Sequence, residues 1–230
     1  MLSRAITSPI NWVLDNLMPP ALRDSRVIMG PLFWILFGRR SHEFTTFKAA
    51  APFLSAAEFR DWYSRTADLH IRRESDLTPG VLEHLLARLT GSSALDVGAG
   101  RGFLSRRLAE RLRGPVVGVD IVAPARPSGP FARADGEALP FPDRAFDTVT
   151  CCHVLEHVQN AEAVIRELRR VTRQRLIVVV PRQREYRYTF DLHIRFFPYV
   201  ESLQQLMRCP SAACQIVDND IVYVEEVHGD

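Results

Sequence analysis

Between residues 92 and 181, short β-rich runs alternate with helix-like segments. That alternation restricts the chain to folds built from βαβ units around a parallel sheet. The first run is Ala94–Val97; a glycine-punctuated stretch and a helix over about Phe103–Leu112 follow it. Further strands are expected at Val116–Asp120, Phe131–Ala134, Phe146–Cys152 and Leu176–Val180. The last of these is almost wholly apolar and β-branched, as a strand buried on both faces should be. Helices are expected over 161–171 and 200–207. Pro124, Pro127 and Pro130 leave no regular crossover helix between the second and third strands. Gln215–Val217 and Ile221–Val227, split by Asp218-Asn219-Asp220, read as a closing antiparallel hairpin.

Residues 1–76 have a different character, with broken helical patterns, several prolines and the large aromatics Trp12, Trp34, Trp62 and Tyr63. The expected division is a helical N-terminal extension or lid over 1–76 and a catalytic domain over 77–230. Met1–Pro20 does not read as a signal peptide, because Asp15 and Asn16 fall where an apolar core should run. Val27–Phe37 is the most apolar stretch, followed by Gly38-Arg39-Arg40. It is shorter than the roughly 20 residues needed to cross a bilayer. It reads either as a buried helix or lid segment, or as a patch lying on a membrane with the arginines at the headgroups. The four cysteines include no CxxC pair, which fits a reducing, cytoplasmic setting better than a disulfide framework. A net charge of +2 gives no electrostatic footprint for nucleic acid.

The chemistry begins in LDVGAGRGFLSRRLA, Leu95–Ala109. Asp96 stands near the strand's carboxyl end. Gly98 and Gly100 let the backbone approach a ligand closely, and Gly102 lets the helix pack on the strand. Dinucleotide dehydrogenases use a similar turn to receive a pyrophosphate at the helix N-terminus. Here an acid precedes the glycines by two residues, which suits the cationic amino and sulfonium groups of S-adenosylmethionine. Asp120 ends the second strand 20 residues beyond Gly100, where an acid takes ribose hydroxyls.

The third signal is ARADGEALPFPDRAFDTVTCCHVLEHV, Ala132–Val158. With the first two it resembles the class I methyltransferases that carry LDVGxGxG, then DxxxLPFxDxxFDxV, then LEHV. The resemblance covers about residues 76–181. It implies a Rossmann-like, mostly parallel seven-stranded α/β sheet flanked by helices, with S-adenosylmethionine as cofactor. It also implies site roles. Asp96, Gly98, Ala99 and Gly100 would hold the methionine end, and Asp120, with Ile121 beside it, the ribose. Asp135 and Gly136 would hold the adenine, and the Cys152 carbonyl the α-amino group. The missing helix after the second strand departs from the commonest family form and affects the adenine wall.

Methyl transfer from a sulfonium is an SN2 displacement, so the protein chiefly aligns the reactants and excludes water. An oxygen nucleophile also needs a base. His153, Glu156 and His157 are spaced i, i+3, i+4 and would share a face if helical. His193 follows the fifth strand. His153, His157 and His193 are therefore the candidate bases. His153-x-x-Glu156-His157 with His193 is also similar to the ExxEH…H set of metal-dependent O-methyltransferases, with His153 in place of the first Glu; no metal is expected. Arg182, Arg184, Arg187 and Arg195 line a basic, aromatic stretch fit for an acceptor, and Tyr63, Arg72 and Arg73 are candidate lid residues. NWVLDNLMPPALRDSR and RESDLT are similar to segments of methyltransferases of cell-envelope saccharide pathways. The expectation is O-methylation of a small molecule or saccharide, with no nucleic-acid partner and possible peripheral membrane contact through 27–40. The rivals are a non-catalytic cofactor-binding protein of the same fold and an NAD-dependent oxidoreductase, which has no use for the third motif.

Overall fold

The computed structural model describes residues 17–66, 75–188, 191–208 and 213–227. Trp12, Arg72, Arg73 and Cys209, with the NWVLDN segment, lie outside them. The chain divides into two units. One comprises Met1–Arg73 with Gln183–Phe196, the other Glu74–Arg182 with Phe197–Asp230.

The first unit is helical: α1 (Pro20–Arg23), α2 (Arg26–Phe37), α3 (Ser41–Ala50) and α4 (Ala56–Thr66). Its core is largely aromatic, with Phe33, Phe44, Phe47 and Phe59 packed with Met29, Tyr188 and Leu192. Phe37 stacks on Phe44 at 4.0 Å between ring centres, and Phe47 meets Tyr63 edge-on at 5.7 Å. Tyr63 also donates to the Leu192 carbonyl at 3.1 Å. Tyr63, a candidate lid residue for which packing is the favoured reading, is partly buried against this core, held by rings on one side and a hydrogen bond on the other. The segment 183–196 joins this unit through Tyr188 and Leu192, whereas the sequence placed it with the catalytic domain.

The second unit holds α5 (Pro79–Leu86), β1 (Ala94–Val97), α6 (Phe103–Ala109), β2 (Val116–Asp120), β3 (Phe131–Arg133), β4 (Phe146–Cys152), α7 (Ala161–Val171), β5 (Thr172–Pro181), α8 (Val200–Met207), β6 (Cys214–Val217) and β7 (Asp220–Glu226). These strands form one seven-stranded sheet in the order β3-β2-β1-β4-β5-β7-β6. The first five are parallel, while β7 runs antiparallel to both β5 and β6. Chain order reverses between β1 and β4, so a crevice opens at their carboxyl ends, where open α/β sheets bind ligands.

Two apolar clusters cover the two faces of this sheet, one around Val149, Leu168 and Val178, the other around Val81, Leu108 and Ile177. The residues Ile121–Pro130 carry no helix, as the prolines required. Two boundaries differ from expectation by more than one residue. α6 stops at Ala109, where the backbone of Glu110 closes the helix, instead of running to Leu112. β5 starts at Thr172, four residues before its apolar run. Its polar start pairs with Phe146 and Thr148 of β4, and its Arg175 pairs with Glu226 of β7.

Candidate active site

The turn after β1 is held from two sides. Gly98 and Ala99 donate their N–H groups to the Val119 carbonyl of β2 at 2.8 and 2.9 Å. Gly98 has φ +77, and a Cβ there would lie 2.1 Å from Val154 Cγ2 on the loop after β4. Only glycine fits, because both the backbone region and the space exclude a side chain. Gly100, at φ +52, has nothing within 4 Å of where its Cβ would stand. Its backbone is bare on that side, and its N–H donates to Asp120 Oδ2 at 2.9 Å.

Asp120 therefore does two jobs. Its Oδ2 ties down the glycine turn and its Oδ1 accepts from the Val122 N–H at 3.0 Å. Burial raises its pKa, and these N–H donors pull it partly back. Each carboxylate oxygen keeps a second lone pair. Ile121 follows, half-buried, its carbonyl accepting from Arg133 Nε at 3.1 Å.

Asp96 sits between Gly118 of β2 and Thr150 of β4 in register. Its Oδ2 accepts from Ser105 Oγ at 2.7 Å and its Oδ1 from Thr150 Oγ1 at 3.1 Å. Burial is the main influence on its pKa and pushes it up to about 6 against the pull of those hydroxyls. Ser105 and Thr150 escaped the sequence reading. The only trace of them was a hydroxyl residue in the first turn of the helix and another on the neighbouring strand.

Asp135 follows β3, where its Oδ1 accepts from the Glu137 N–H at 3.1 Å. Gly136 lies against Val97 and Val164, with ordinary room for a Cβ. Cys152 ends β4 and packs its side chain beside the second apolar cluster. Burial drives its thiol pKa upward, so it is no nucleophile.

The segment 153–157 is a turn and not a helix, so the expected shared helical face of His153, Glu156 and His157 does not form. His153 takes φ +55 and donates its N–H to the Val179 carbonyl at 2.8 Å. Its ring lies between two buried acids, with Nδ1 at 3.4 Å from Glu156 Oε1 and Nε2 at 3.3 Å from Asp220 Oδ2. Burial opposes the charge, but the two carboxylates win and raise its pKa well above the usual value. This geometry disfavours the base role expected of His153. An imidazolium with a carboxylate on each nitrogen has no lone pair to take a proton or bind a metal. Asp220 is a further residue that sequence reasoning missed, hidden in a turn-like Asp-Asn-Asp.

His157 lies on the same turn, its Nε2 4.0 Å from Glu156 Oε1, and it is partly exposed. His193 belongs to the first unit, where its Nδ1 is 2.9 Å from Gln183 Oε1 and its ring packs edge-on to Phe196. Arg184 donates to the Met18 carbonyl at 2.9 Å, and the Arg187 guanidinium lies over the Tyr188 ring. Both arginines are built into the first unit.

Residues 95–180 match a family model described as a methyltransferase domain. The chain is 36% identical over 107 residues to the ubiquinone/menaquinone biosynthesis C-methyltransferase UbiE of Hahella chejuensis, covering 39% of this chain and 43% of that protein. It is 34% identical over 131 residues to the protein of the same name from Pseudomonas aeruginosa, covering 46% of this chain and 51% of that protein. The chain thus spans about half the length of the curated relatives it matches. Among solved structures, 1,6-didemethyltoxoflavin-N1-methyltransferase from Burkholderia thailandensis aligns at TM-score 0.55 and 20% identity, over 79% of this chain and 89% of that one. A SAM-dependent methyltransferase from Aquifex aeolicus aligns at TM-score 0.53 and 14% identity, over 72% and 98%. The strand order and the glycine turn agree with these matches: residues 95–180 match a methyltransferase domain, and the sheet they belong to shares the fold of the two solved methyltransferases.

Proposed function

We propose that the chain transfers a methyl group from S-adenosylmethionine to a hydroxyl of a small molecule or saccharide. The observation that carries this reading is the bare backbone at Gly100, locked to Asp120 at the carboxyl ends of β1 and β2. The residues present fit the cofactor. There is open space where a Cβ would stand, a carboxylate with lone pairs left for a hydroxyl pair, and a second buried carboxylate behind the turn. The bound cofactor supplies a methyl group already activated on sulfur.

In this reading the turn Gly98–Gly100 holds the methionine end, and the Cys152 carbonyl receives the α-amino group. Asp120 takes the ribose hydroxyls, with Ile121 alongside, and Asp135 and Gly136 border the adenine. Asp96 acts as a positioning residue, since both its oxygens are engaged by Ser105 and Thr150. Since each ring nitrogen of His153 faces an acid, the base that takes the acceptor's proton is His157. The Burkholderia neighbour holds S-adenosylhomocysteine, which supports the choice of cofactor.

The names of these relatives favour a second reading, methylation at carbon. Loss of a hydroxyl proton from an electron-rich ring activates both its oxygen and its neighbouring carbon. The same base serves either outcome: the S–CH3 bond breaks as O–CH3 or C–CH3 forms, and in the carbon case the hydrogen on the methylated ring carbon then leaves as a proton while the oxygen is reprotonated. Calorimetry should give low-micromolar or tighter affinity for S-adenosylhomocysteine, about −8 kcal/mol, and no binding of NAD. Absence of heat at about 1 mM homocysteine ligand, a thousandfold above that dissociation constant, would sink the reading. Labelled-methyl transfer to phenols and saccharides, followed by locating the label, then separates oxygen from carbon.

A further inference from the structure

The helix α2 is apolar on every side, yet only part of it is covered. Met29 and Phe33 are buried in the first unit's core, and Leu32 and Phe37 pack beside them. On the other side Val27 is 83% exposed, Trp34 65% and Ile35 73%. Pro31 is also exposed, and Ile28 and Leu22 partly so. Val27, Pro31, Trp34 and Ile35 fall at i, i+4, i+7 and i+8, which is one stripe along the helix.

No acidic residue occurs from Arg26 to His42. Arg26 and Arg39 are both exposed at the two ends of the stripe, and neither forms an ion pair among the described residues. The stripe is small. A helix of 12 residues is about 18 Å long, and a face about 10 Å wide gives roughly 200 Å². A stable protein partner needs about 800 Å² per side. A second copy of the chain would therefore be poorly held. A lipid surface sets no such minimum, because a tryptophan and a few aliphatic side chains can enter the interface while arginines meet anionic headgroups.

We propose that the exposed face of α2 docks on an anionic lipid membrane, with Trp34, Ile35 and Val27 entering the interface and Arg26 and Arg39 at the headgroups. The inference rests on this surface alone and stands whether or not the chain transfers methyl groups. It would place the enzyme beside acceptors held in a membrane.

The test is co-sedimentation of the full chain with vesicles of phosphatidylcholine containing phosphatidylserine, against vesicles of phosphatidylcholine alone. Binding is expected to the anionic vesicles and to fall with added salt. The Trp34→Glu/Ile35→Glu variant should lose at least about tenfold in partitioning. The Arg26→Gln/Arg39→Gln variant should lose about ten- to thirtyfold on anionic vesicles, at about three- to fivefold per arginine. All four side chains are exposed, so unchanged thermal melting and unchanged S-adenosylhomocysteine affinity will show that the variants fold. Failure of the parent chain to bind either vesicle would overturn the proposal, as would binding that neither variant weakens. A concentration-dependent dimer, abolished by Trp34→Glu while vesicles are ignored, would give the face to a second copy instead.

Discussion

Asp96 combines a favourable position with an unfavourable environment. Burial keeps its proton on up to about pH 6, against 3.8 for an ordinary aspartate. Below 3.8 the folded and unfolded chains both hold the proton and the residue costs nothing. As pH rises to 6 the unfolded chain ionises first, and above 6 the folded protein carries a load of roughly 3 kcal/mol. The α-ammonium group of a ligand beside the turn offsets that load, so binding should favour the ionised carboxylate. S-adenosylhomocysteine affinity is therefore expected to fall about tenfold between pH 7 and pH 5, where only about one molecule in ten keeps the charge. Asp96→Asn should remove the load, raising the melting temperature of the ligand-free protein at pH 7.5 while weakening ligand binding. Scanning fluorimetry with and without ligand measures both. A melting temperature that drops in the variant would mean that the hydroxyl contacts of Ser105 and Thr150, and not the charge, dominate at this position.

At the scale of elements, the contact between His153 and Asp220 staples the turn after β4 to the start of β7. Its raised histidine pKa stabilises the fold fully below the unfolded value of about 6.5 and loses that contribution as pH rises through the folded value. Asp220→Asn should cost about 1.5–3 kcal/mol at pH 6 and much less at pH 9. Urea unfolding at the two pH values reads the difference; an equal cost at both would mean that the histidine is neutral in the folded protein. This staple was illegible in the sequence because its partners stand 67 residues apart and meet only through the antiparallel pairing of β5 with β7. Strands β1, β2 and β4 were legible to the residue, as short runs rich in apolar and β-branched residues between helix-like segments. The start of β5 was not, because Thr172-Arg173-Gln174-Arg175 reads as polar surface until β4 and β7 flank it. The glycine turn and Asp120 were plain from spacing. What the spacing could not reveal was that the turn of His153 is non-helical and that its ring faces acids.

Across the whole molecule, each unit has an apolar core of its own, aromatic in one and aliphatic on both faces of the sheet in the other. Calorimetric melting is expected to show two transitions. The proposed cofactor contacts all lie in the second unit. Adding S-adenosylhomocysteine at a hundredfold excess over its dissociation constant should stabilise that unit by about 2.7 kcal/mol, moving one transition and leaving the other in place. A single transition that moves as a whole would mean that the two cores unfold together.

The short parallel bridge between Arg182 and Phe197 gives this division a consequence for how such a chain can change. The excursion of residues 183–196 leaves the sheet and returns to it at neighbouring points, like a drawer in a fixed frame. Lengthening, shortening or rewriting it alters neither the strand order nor the glycine turn, and each doubling of its length would cost only about 0.6 kcal/mol in closure entropy. Variation between kin of this chain should therefore gather in that drawer and in the N-terminal helices it joins, while the frame that grips the cofactor stays put.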